Sequence, residues 1–313
     1  MKTDLILPNN YINLAYTLVR AFFQGKSEAT LKAYKADLEA FREFTGAKNL
    51  SESAKKLIEL PLGEANLLAL NYKTEMQKRR LRPTTINRRL SAIRSLVRLA
   101  NTLGMVNWQL EVKNDQIEAY RDTSGPGENS FQKMLTVCQN QKNKKKAVRD
   151  YVILRLLHDL ALRRGSIVNL NIEDLELNKR LIWVSLKKRT EKVQKYLPEV
   201  TLRAIENWIA IRGDQPGPLF INLDRANNGS RLTGTSIYRM VRSIGEQIGV
   251  KTRPHGIRHT AITEAVKRAQ ENGIGIEEVM QFSDHKDIKT LLIYRDRERN
   301  TQGLLSRLIV DES

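Results

Sequence analysis

The chain has 313 residues, long enough for two domains, and a hydrophobic content of 41% that supports packed cores and excludes a disordered basic tail. Its 53 lysines and arginines exceed its 35 acidic residues by 18, so the expected partner is a polyanion, nucleic acid before acidic membrane. A single cysteine, Cys138, excludes an intrachain disulfide and a CxxC zinc site, and a reducing interior fits.

The N-terminus, MKTDLILPNNYINLAY, has a short apolar run broken by Pro8 and two asparagines. It is neither a secretory signal nor a transit peptide, and no run approaches a membrane span. The expected setting is a prokaryotic cytoplasm, at the nucleoid when bound to DNA. Ser27 can cap a helix carrying Leu31, Tyr34, Leu38 and Phe41 at helical spacing, with Gly46 placed to stop it. Pro83 suits the first turn of a second helix. Ile86, Leu90, Ile93, Val97 and Ala100 line one face of it, and Gly104 ends it. Arg88, Arg94 and Arg98 lie off that face; a solvated surface explains them alone, and the net charge turns the reading toward DNA contact.

Residues 121–129, RDTSGPGEN, read as a linker. Beyond it, Leu181 to Leu186 is a strand-like run, and a return strand can end at Tyr196, Leu197 and Pro198. Helices are predicted over 201–212, 235–248, 257–271 and 276–282. The expected fold is therefore mainly α with a small antiparallel sheet (α+β). A helical domain over 1–120 and a second domain over 130–313 would close on a duplex like a clamp.

The chemistry-bearing residues cluster late in the chain. PHGIRHTAIT holds His255, Arg258 and His259, and FSDHKDIKTLLIY holds His285 and Tyr294. Arg163 lies upstream, and Lys187 and Lys188 follow the strand run. Guanidinium forks fit the oxygens of a phosphate, and fixed cations stabilise the charge that develops on them. Imidazoles and an ammonium move protons, and a phenol of pKa about 10 is a nucleophile once deprotonated. Such a set suits attack on a phosphodiester. Taken singly, each member has a plainer reading: Arg163 as a surface residue, Tyr294 as a core tyrosine, His158 as a structural histidine. His255 and His259 have zincin spacing, but Gly256 stands where the glutamate is required. No phosphate loop with GK[ST] is present, so neither metal nor nucleotide is expected as a cofactor.

These boxes, in this order, resemble the tyrosine recombinases, or phage-type integrases, over nearly the whole chain. Ala161-Leu162-Arg163-Arg164-Gly165-Ser166 is similar to the family's G-L-R-x-x-E box, and His255-Gly256-Ile257-Arg258 to its H-x-x-R box. Ser283-Asp284-His285 is similar to the L-G-H box, with Tyr294 nine residues on as the nucleophile. Lys187 best matches the family lysine on a hairpin turn, with Lys188 as a rival. TTINRRLSAIRSL at 84–96 resembles the DNA-facing helix of a core-binding domain.

Two departures stand out. Ser166 replaces a bracing acid, which implies looser positioning of Arg163 or His255. Asp284 replaces a glycine, and its carboxylate can orient the His285 imidazole or face solvent. The resemblance implies double-stranded DNA as partner, a 3′-phosphotyrosyl intermediate formed without metal or ATP, and a homotetramer on two DNA sites. It also implies a tail, 301–310, that docks on a neighbouring protomer. A DNA-binding regulator without catalysis and a type IB topoisomerase are the alternatives.

Overall fold

The computed structural model describes residues 11–116, 125–186, 191–285, 287, 288 and 291. Lys187, Lys188, Tyr294, residues 121–124 of the linker stretch and the 301–310 tail lie outside the described residues. The chain divides into two compact units, Met1–Tyr120 and Arg121–Ser313.

The first unit is helical: α1 (Tyr11–Phe23), α2 (Glu28–Thr45), α3 (Leu50–Ile58), α4 (Leu62–Lys78) and α5 (Pro83–Thr102). Local signals set the ends of α2. The Ser27 hydroxyl accepts from the Thr30 N–H, and Gly46 closes the helix in the left-handed conformation with φ 61°. Pro83 starts α5, where its missing N–H costs nothing. The apolar stripe of α5, from Ile86 to Ala100, is fully buried against Leu18, Phe22, Leu38, Phe41, Leu57 and Tyr72. After α5 the chain returns without regular structure, and side chains hold it. Asn87 exchanges two hydrogen bonds with the Asp115 backbone at 2.9 and 2.8 Å, and Lys73 pairs with the Asp115 carboxylate at 2.8 Å.

The second unit opens with α6 (Glu128–Gln139), which starts inside the stretch read as a linker. Gly125 and Gly127 lie against the start of a later helix. A Cβ on Gly125 would collide with Thr260 and with the Gly256 carbonyl, and the Gly127 N–H donates to Thr260 Oγ1 at 3.2 Å. Next come α7 (Lys144–Asp159) and α8 (Arg164–Asn169), joined by a tight turn in which Ala161 takes φ 46°.

The sheet is antiparallel in the order β1 (Leu175–Glu176), β2 (Leu181–Ser185), β3 (Lys192–Tyr196). Leu181 faces Tyr196 and Ser185 faces Lys192, so β2 and β3 form the expected hairpin. Four helices complete the unit: α9 (Glu199–Arg212), α10 (Gly234–Gln247), α11 (Pro254–Glu271) and α12 (Ile276–Ser283). Ile182 and Val184 of β2 join Phe131, Leu157, Ile205, Trp208, Phe220 and Ile257 in one core. A smaller cluster, Ala161, Ala261, Ile262, Val266, Val279 and Leu291, packs α11 on α12. Among the described residues no helix is long and apolar enough to cross a membrane.

Candidate active site

The first turn of α11 and the start of α8 bring the predicted residues together. Arg253 caps α11 and Pro254 begins it, so His255 and Arg258, three residues apart, share one side of its first turn. Arg163 is the N-cap of α8. All three line an open cleft of about 470 Å³, together with Arg164, Tyr238 and Arg253. Among the described residues that line it, none is a carboxylate, so the cleft is built to attract an anion.

The C-terminal turn of α12 organises the cations. A helix C-terminus leaves carbonyls without intrahelical partners and carries partial negative charge. Here three successive carbonyls each receive a cation. Lys195 Nζ donates to Phe282 O at 3.0 Å, Arg258 donates to Ser283 O, and Arg163 Nη2 donates to Asp284 O at 3.2 Å. Arg258 also donates to Ala161 O across the unit and is 2% exposed, so its guanidinium is held by two carbonyls. Asp284 ends α12 in the left-handed conformation, with φ 51°.

His285 follows directly, with Nδ1 2.9 Å from Ser283 Oγ. Burial lowers its pKa to about 4, and Arg258, Arg163 and His255 reinforce the shift, so the ring is neutral at pH 7. His255 keeps an exposed edge on the cleft. The protein packed around its ring, and then Arg258, Arg253 and Arg163, lower its pKa as well.

Both departures from the family pattern have definite places. Ser166 is buried and donates to Ser185 O of β2 at 2.8 Å, so it stitches α8 to the sheet. The Asp284 carboxylate neither orients His285 nor faces solvent. It pairs with Lys195 Nζ at 3.1 Å. His158 is structural: it stacks on Phe131 with ring centroids 3.9 Å apart, and its nitrogens meet Glu128 and Asp159.

The three arginines of α5 differ. Arg98 is exposed. Arg88 reaches back to the buried Asp37 at 2.5 Å while its side chain remains 48% exposed. Arg94 is partly buried and donates to Val112 O at 3.5 Å and to Asn114 Oδ1, tying down the chain after α5.

Sequence reasoning missed Arg164, Tyr238, Arg253 and Lys195. The signal for Lys195 was present: in KVQKY it shares the alternating inward face of β3 with Val193.

Residues 127–301 match the profile of the phage integrase family. A tyrosine recombinase of Synechococcus elongatus is 35% identical, over 89% of this chain and 88% of that one. A tyrosine recombinase of Synechocystis is 33% identical, over 97% and 98%. Among solved structures, the XerH site-specific recombinase bound to palindromic difH substrate has a TM-score of 0.67 at 16% identity, covering 94% of this chain and 84% of that one. A lambda integrase dimer bound to a COC′ core site has a TM-score of 0.66 at 13% identity, covering 93% and 77%. At these identities the two structures speak to the fold.

Proposed function

We propose a mechanism on the premise that the chain belongs to the phage integrase family: it is a tyrosine recombinase, an enzyme that cleaves and rejoins DNA at specific sites. The observation that carries the mechanism is the cleft in which Arg163, His255 and Arg258 meet, with no carboxylate among the described residues that line it. A scissile phosphate would be gripped there by Arg163 and Arg258, whose forks fit its nonbridging oxygens and stabilise the charge gained in the transition state. Tyr294 attacks phosphorus. The P–O bond to the 5′-oxygen breaks, and that oxygen leaves with a proton from Lys187. A neutral His255 imidazole takes the phenolic proton, and His285 hydrogen-bonds the phosphate. The product is a 3′-phosphotyrosyl enzyme with a free 5′-hydroxyl. A 5′-hydroxyl from a second duplex then attacks the phosphotyrosine, which releases Tyr294 and seals the exchanged strand. One phosphoester replaces another at each step, so neither metal nor nucleotide is required.

Residues 1–120 act as the core-binding domain, with Arg88, Arg94 and Arg98 on its DNA-facing helix. Residues 121–129 join it to a catalytic domain over 130–313. The active assembly is a homotetramer on two DNA sites, in a prokaryotic cytoplasm. A nicked suicide duplex, carrying a site selected from random sequence by the chain itself, tests the mechanism. The wild type should form a covalent adduct in EDTA. Tyr294→Phe should bind the same duplex and form none; an adduct in that variant would move the nucleophile elsewhere.

A further inference from the structure

We propose that Lys195 and Asp284 form a buried charge latch that positions the cations of the active site, a role for two residues outside the catalytic set. Their side chains are 9% and 7% exposed and meet at 3.1 Å. The same ammonium donates to Phe282 O at 3.0 Å, so β3 holds the end of α12 at two points. The turn it holds is the one on which the active site hangs. Ser283 O receives Arg258, Asp284 O receives Arg163, and Ser283 Oγ meets His285. Moving this turn by an ångström would move all three.

One further feature argues for positioning rather than plain packing. Asp284 ends α12 at φ 51°, the left-handed C-terminal conformation that aspartate and asparagine tolerate. A buried ion pair contributes little net stability over a well-packed apolar pair, so specific geometry is the better account of this one. Burial lowers the Lys195 pKa, Asp284 opposes that shift, and Arg258 and Arg163 add to it. The pair thus sits inside the field of the groups it orients. Asp284 supplies a negative charge in the unit whose expected bracing acid is replaced by Ser166.

The proposal rests on the recombinase reading, and the test separates the two. The full chain is assayed on the nicked suicide duplex under single-turnover conditions at saturating DNA, with melting curves run in parallel. Asp284→Gly and Asp284→Asn both suit a left-handed backbone. Lys195→Met, which keeps the packing of the stem, carries the same test should either of them unfold. Each variant should remain folded and keep the wild-type dissociation constant, while adduct formation slows on the order of 100-fold, the typical cost of a small misplacement. The double variant Lys195→Met/Asp284→Asn should be no slower than the slower single, because both changes break one interaction. No adduct in the wild type defeats the recombinase reading itself. An active wild type with folded variants at its rate, a loss confined to affinity, or additive losses in the double variant overturns the latch.

Discussion

Arg258 and His285 show how one environment sets two chemistries. Arg258 is buried and donates to two neutral carbonyls, Ala161 O and Ser283 O, which fix the direction of its guanidinium. Arg258→Lys should fold and still fail, since an ammonium cannot span two carbonyls and a phosphate as a planar fork does. Single-turnover cleavage should fall about 100- to 1,000-fold, with DNA affinity little changed. Normal cleavage in this variant would remove Arg258 from phosphate activation. His285 answers to the same charges in the opposite way, since burial and two arginines push its pKa down to about 4. The folded state thus resists a proton that the unfolded chain accepts near the ordinary histidine value of about 6.5. Stability from this group is intact above that value and is lost progressively as pH falls toward 4. His255 shifts in the same direction. Melting temperature should therefore drop between pH 7 and pH 4, and less steeply in His285→Asn; identical pH profiles would place the titration on other groups.

At the scale of elements, α5 separates two kinds of arginine. Arg94 holds the chain that follows α5, through Val112 and Asn114, whereas Arg98 is exposed. Arg94→Ala should lower unfolding stability by about 1–2 kcal/mol, the usual cost of lost charge-assisted bonds. Arg98→Ala should leave stability alone and reduce the salt slope of DNA binding by about 1. Chemical denaturation and salt titrations of both variants check the contrast, and exchanged outcomes would reverse the assignment. The same helix shows what a sequence makes readable. Pro83, the apolar stripe of α5, Ser27 and Gly46 act within a turn or two, so their spacing alone carries the information. His255 and Arg258 were legible for that reason, being three residues apart in one helix. β1 has two residues and no period to detect. The Lys195–Asp284 pair joins positions 89 residues apart, and no local pattern records it, although the alternation of β3 already turned Lys195 inward. Arg164, Tyr238 and Arg253 enter the cleft only because α8, α10 and α11 converge there.

At the scale of the whole molecule, the excess of 18 positive charges explains attraction to DNA at long range. What the α12 turn does with part of that excess reaches further. Carbonyl oxygens hold Arg163 and Arg258, and the one acid on the turn is committed to Lys195. The described residues that line the cleft carry several like charges and no carboxylate, so a DNA phosphate bound there would be held by its opposite charge. Sulfate, which shares that tetrahedral charge, should raise the melting temperature beyond its general salting effect, measured against chloride at equal ionic strength. The excess should vanish in Arg163→Ala. Equal shifts in the two proteins would locate the anion's effect outside the cleft. A phosphate that binds this cleft would add its binding energy to the stability of the fold, so the substrate would steady the enzyme that cuts it.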